Sequence, residues 1–274
     1  MSKGNVKFDV KPVLECQMPY LIKLLHRGHF SWKDVNKSLK ERHLAQNKNQ
    51  SEGDIIDVNF LSLVAAFIGG KKEAFGMFDF YNAIFEQLFN RLSDRESKLI
   101  CDTIKKALIT HDYSYLNFIG ELATLNAYMS TGDFELLSIE EKIYSHCKVS
   151  IDFLLKRKED DEKFLVEVKN IHLEKHEGKS VKEIIDFISH KLQKHHNCKF
   201  LGNALYNLTI QPVIWTKSLE QIKILEQLFI GHENHVKDIR IPMCYLTYKH
   251  SNGQYEHRFE YVTVSYTHLR AHET

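Results

Sequence analysis

Residues 150–171 read SIDFLLKRKEDDEKFLVEVKNI. Two short runs rich in apolar and β-branched residues, around Ile151–Leu155 and Phe164–Val168, flank an acidic turn of Glu159, Asp160, Asp161 and Glu162. Runs of this length, bounded by charged turns, have the pattern of strands, and the short loop makes them hairpin partners. Side chains alternate between faces along a strand. Asp152 therefore shares a face with Leu154, and Glu167 and Lys169 share one with Leu165. A register that sets Asp152 opposite Glu167 or Lys169 puts all three polar groups on one face; a slip of one residue separates them. A carboxylate left unpaired among such apolar neighbours is costly. A divalent cation between two carboxylates removes that cost, and Mg²⁺ is commonly held by one or two carboxylates with water and phosphate oxygens. Such an ion acidifies water and polarises a phosphoryl oxygen. Lys169 would then orient or activate the attacking water, or stabilise charge growing on phosphate. A structural salt bridge between Asp152 and Lys169 at a sheet edge is the alternative.

Outward from this hairpin, the character of the chain changes at Gly132. FELLSIEE, 134–141, is a third strand ahead of the pair. Behind it comes a helix over about 180–196, with Val181, Ile184, Ile185, Ile188 and Leu192 as its apolar stripe. The strand LTIQPVIWT, a helix from Ser218 to about Ile230, and a hairpin with Asn252-Gly253 in its turn complete the order. Helix, three strands, helix, strand, helix and hairpin make a mixed α/β sheet flanked by helices. The N-terminal part is helical. A helical pattern covers 20–43, with Ser31 as an N-cap, and QNKNQSEGD, 46–54, is a polar loop. Phe60, Leu61, Val64 and Phe67 share a helix face that Gly69-Gly70 terminates. Phe80, Ile84, Leu88 and Leu92 recur at helical spacing. Ser93 and Glu96 form a capping box for a helix carrying Leu99, Ile104 and Leu108, and another helix spans about Ser114–Tyr128.

The acid at Asp152 followed by Glu167-Val168-Lys169 on the next strand, after one helix and before another, resembles the PD-(D/E)XK nuclease superfamily. The resemblance covers roughly residues 114–217. E-x-K by itself is weak, since it occurs at Glu96, Glu140, Glu167 and Glu177, but only Glu167 lies in an apolar strand preceded by a strand bearing an acid. Ile151 stands where the family name has proline. The resemblance implies a restriction-endonuclease-like mixed sheet flanked by helices, with a helical N-terminal region added. It also implies metal-dependent hydrolysis of phosphodiesters, with Mg²⁺ or Mn²⁺ as cofactor and nucleic acid, DNA in preference, as partner. Asp152, Glu167 and the backbone carbonyl of Val168 would be metal ligands and Lys169 the water-orienting group. Glu121, in FIGELATLNAY, would be an accessory ligand or base from the preceding helix. A module on the same scaffold that binds nucleic acid or protein without catalysis is the rival. On this basis the chain divides into a helical region, 1–111, a nuclease-like domain, 112–263, and a tail, 264–274. That tail, VSYTHLRAHET, resembles an in-frame translation of a sequencing-library adaptor and is set apart from the fold.

Bulk composition bounds these readings. The chain has 274 residues, 43% hydrophobic and 27% charged, with a net charge of +1, so any case for nucleic acid rests on local patches. Five scattered cysteines without a C-x-x-C pair fit a reducing cytoplasm. No apolar run reaches membrane-spanning length, which gives no membrane partner. Lys191, Gln193 and Lys194 near a helix end are candidate phosphate contacts; a solvated helix end favoured by the dipole is the alternative. His195, His196 and Cys198 lack zinc-ligand spacing, and Gly69-Gly70-Lys71-Lys72 lacks the rest of a phosphate loop. Asn170 and His172 either line the rim of the site or face solvent. The N-terminal helices are a candidate surface for substrate, a second copy or a protein partner.

Overall fold

In the computed structural model, residues 9–48, 59–142, 150–176, 178–193, 207–216, 243–249 and 255–261 are described. The chain forms two compact units, 1–130 and 131–274. The first contains α1 (Lys11–Gln17), α2 (Pro19–Arg27), α3 (Lys33–Lys48), α4 (Phe60–Ile68), α5 (Lys72–Arg91), α6 (Asp94–Leu99), α7 (Cys101–Ile109) and α8 (Tyr115–Ser130). Phe60 of α4 stacks on Tyr81 of α5 at 5.5 Å and meets Phe85 edge-on, a geometry aromatic rings favour. The hydroxyls of Tyr81 and Tyr115 lie 3.2 Å apart, which brings α8 onto α5.

The expected helix over 20–43 is two helices. Gly28 ends α2 where the chain passes against α7, and a Cβ built there would lie 2.0 Å from the Cys101 sulfur. Ser31 acts near the start of α3, its hydroxyl accepting from the Lys33 amide at 3.4 Å. α3 runs on to Lys48, into the stretch expected to be loop from residue 46; residues 49–54 lie outside the described residues. The Ser93/Glu96 capping box is present, with Glu96 accepting from the Ser93 amide at 2.8 Å. Ile100, buried, separates α6 from α7, so Leu99 and Ile104 belong to different helices. Gly69 caps α4 and Gly70 adopts φ +74°, a conformation glycine takes at little cost.

The second unit is a six-stranded mixed sheet in the order β1 (Phe134–Lys142), β2 (Ser150–Arg157), β3 (Lys163–His172), β4 (Asn207–Trp215), β5 (Met243–Lys249), β6 (Tyr255–Tyr261). β1, β2 and β3 form an antiparallel meander, β3, β4 and β5 are parallel, and β6 returns antiparallel. Parallel strands need a crossover. Among the described residues, the crossover between β3 and β4 contains a 3-10 turn, Leu173–His176, and α9 (Val181–Gln193), which packs against β3. A capping box at Ser180 and Glu183, unnoticed in the sequence, starts α9. β4 is buried from Ile210 to Trp215, as a central parallel strand should be. Among the described residues β4 pairs with β5 from Val213↔Met243 to Trp215↔Tyr245. The helix expected from Ser218, the Asn252-Gly253 turn and the tail 264–274 lie outside the described residues.

Candidate metal centre

The register between β2 and β3 decides the face. Phe153 stands opposite Val166 and Leu154 opposite Leu165, so the same register carried one step further sets Asp152 against Glu167. By alternation from this register, Asp152, Glu167 and Lys169 share the face of Leu154 and Leu165.

Asp152 lies just past the last β2–β3 pair. There its carboxylate takes over from the ladder, accepting the Val168 amide at 2.7 Å. In an extended strand the N–H and C=O of one residue point to the same side. The Val168 carbonyl therefore also faces the β2 side, where Asp152 stands. Glu167 is almost fully buried and bonded by the Lys169 ammonium two residues on; their side chains keep 7% and 17% of their surface exposed. Lys169 thus pairs with Glu167, not with Asp152 as the salt-bridge alternative supposed.

Burial, and after it the Glu167 charge, push the Asp152 carboxyl up to about 7 from the ordinary 3.8. The Val168 amide and the Lys169 ammonium pull it back only in part. A smaller upward push comes from Glu140 on β1, an exposed residue at φ +48° bracketed by the pairs Ile139↔Phe153 and Glu141↔Ile151. Glu140 carries one of the E-x-K matches set aside by sequence, and only strand register brings it near Asp152.

These donors fit a hard cation. Two carboxylates, with a carbonyl turned to the same side, are oxygen ligands of the kind Mg²⁺ accepts. Among the described residues no group of three or more His, Cys, Asp or Glu side chains is placed to hold a metal ion. An ion at this point would rest on Asp152, Glu167, the Val168 carbonyl and water.

The other expected residues are placed as follows. Glu121 is half-buried on α8, which packs with α5 and α7 in the first unit. Lys191 is exposed on α9, its ammonium 5.7 Å from the Phe187 ring centre. Gln193 ends α9 and Lys194 lies outside the described residues, as do His195, His196 and Cys198. Asn170 and His172 neither line the rim nor simply face solvent. Alternation turns them to the opposite face, where Asn170 accepts the Trp215 indole N–H at 2.9 Å and His172 stacks on the Trp215 ring.

No helix among the described residues is long and apolar enough to cross a membrane. Comparison with protein-family models, with curated proteins and with solved structures finds no match.

Proposed function

We propose that the chain is a metal-dependent phosphodiesterase of the PD-(D/E)XK type, acting on nucleic acid with DNA as the preferred substrate. One observation carries this reading: Asp152 and Glu167 are drawn into apolar strands on one sheet face, beside an ammonium, with Asp152 held where its charge is disfavoured. A mixed α/β sheet of this order is compatible with such a scaffold without being specific to it.

Mg²⁺ or Mn²⁺, when bound, would lower the pKa of water and polarise the scissile phosphoryl oxygen. Asp152 and Glu167 would supply the negative charge to retain the ion, and the Val168 carbonyl would supply a neutral ligand on the β2 side. Lys169 holds Glu167 in its rotamer and presents an ammonium on the same face, able to orient water or stabilise phosphate charge. Glu121 as accessory ligand or base, and Lys191, Gln193 and Lys194 as phosphate contacts, enter from the resemblance and the local charge. The helical N-terminal region would contact substrate, a second copy or a protein partner.

The test is cleavage of linear, circular, single-stranded and RNA substrates with Mg²⁺ or Mn²⁺, with and without chelator. Activity that stops with chelator and is abolished by Asp152→Asn supports the proposal. A folded protein that binds nucleic acid but cuts none of these substrates supports the non-catalytic module instead.

A further inference from the structure

β3 is not supported equally along its length. Its pairing with β2 ends at Phe153↔Val166, whereas its pairing with β4 continues to His172↔Trp215. Glu167, Val168 and Lys169 therefore lie on a stretch whose backbone ladder is on one side only. Movement of that stretch toward or away from β2 would change how Glu167 and the Val168 carbonyl stand relative to Asp152.

The opposite face of the sheet carries a brace for this stretch. Trp215, 2% exposed, lies beside Tyr245 at 5.0 Å and against the edge of Phe259 at 5.4 Å. Neighbours on both sides leave the indole little freedom to turn. Its N–H donates to the Asn170 side-chain amide oxygen, Oδ1, at 2.9 Å, and the His172 ring lies nearly parallel to it, 9° off, at 5.9 Å. Asn170 follows Lys169 directly, so this bond fastens β3 one residue beyond the E-x-K run.

We propose that Asn170 is the positioning residue of the candidate metal centre. By accepting the Trp215 proton it fixes the Lys169 end of β3 against β4, and so sets the separation of Glu167 and the Val168 carbonyl from Asp152. The inference rests on the metal reading above. A buried indole N–H without its acceptor is unfavourable, so Asn170→Ala both removes the fastening and drives Trp215 or the strand to shift. Supporting partners of metal ligands typically change affinity or activity by about tenfold or more when lost.

The experiment measures Mn²⁺ binding by loss of the free-ion electron paramagnetic resonance signal. It also records kcat, KM and thermal midpoint, for wild type, Asn170→Ala, Trp215→Phe and the double variant. Asn170→Ala is expected to raise the half-saturating Mn²⁺ concentration about tenfold and to lower kcat at unchanged KM. Trp215→Phe should do likewise, and the double variant should be no worse than either alone, because both break one bond. A merely structural role would lower the thermal midpoint while leaving Mn²⁺ affinity as in wild type, and that result overturns the inference. Effects of the two substitutions on Mn²⁺ affinity that simply add also overturn it. Wild type that binds no Mn²⁺ overturns the metal reading and this inference together, which distinguishes the two failures.

Discussion

Asp152→Asn should stabilise the metal-free protein while removing a ligand of the candidate metal centre. The substitution keeps a side-chain oxygen for the Val168 amide, now 2.7 Å from the carboxylate, and removes the charge. In the folded chain the carboxyl holds its proton to about 7; in the unfolded chain it releases it near 3.8. The folded state thus binds the proton more tightly. Its stability is greatest below the unfolded value, falls as pH rises from there to about 7, and is level above. At about 1.4 kcal/mol for each tenfold change, the ionised carboxylate costs roughly 4 kcal/mol at high pH. Asparagine carries no such dependence. Urea denaturation in chelator should therefore show a gap in favour of Asp152→Asn that is small near pH 4 and widens to a few kcal/mol by pH 8. Titrating groups away from the pair are common to both proteins and cancel, so the gap reports the Asp152–Glu167 pair as a unit. With Mn²⁺ at about a hundred times its dissociation constant, wild type should recover about 2.7 kcal/mol and the variant none. A gap that is flat with pH, or a variant less stable than wild type at pH 8, would refute an Asp152 whose ionisation is opposed by its surroundings and by Glu167.

Lys169→Ala leaves Glu167 buried without its cation and should cost about 3 kcal/mol by chemical denaturation, along with cleavage, because breaking a buried pair exposes the full desolvation cost of the remaining charge. Mn²⁺ affinity measured against pH should rise to about 7 and then level off, since ion and proton compete for Asp152. Gly28→Ala places a methyl 2.0 Å from the Cys101 sulfur and should lower stability by about 1–3 kcal/mol, with Gly28→Ala/Cys101→Ala recovering most of the loss in thermal melts. Ser93→Ala removes a cap and should cost about 1 kcal/mol in urea unfolding.

Much of the sheet was legible because its strands obey local rules. The alternation in SIDFLL and KFLVEVKN marks faces, the acidic turn marks a hairpin, and the observed register is one of the two that unite Asp152, Glu167 and Lys169. Helix ends signalled by short motifs, such as Ser93/Glu96 and Gly69-Gly70, lie where expected. What escaped depends on contacts between distant residues. The break after α2 follows from the approach of Gly28 to Cys101, 73 positions apart, which no local pattern records. Neither a rim position nor a solvent-facing one for Asn170 anticipates its bond to Trp215, because the loss of β2 as a neighbour and the arrival of Trp215 from β4 are properties of the assembled sheet. The partner Lys169 takes is its i, i+2 neighbour Glu167 on the same strand, not Asp152 across the hairpin. Glu140 acquires its influence on Asp152 only once β1 is laid beside β2.

Calorimetric titration of Mn²⁺ into wild type, Asp152→Asn and Glu167→Gln, at a pH above 7, probes the paired acids without requiring a substrate to be guessed. We expect saturable binding to wild type and none to either variant, with all three folded by circular dichroism. Equal heats from the three proteins, or no heat from wild type, would mean that these carboxylates do not hold a cation.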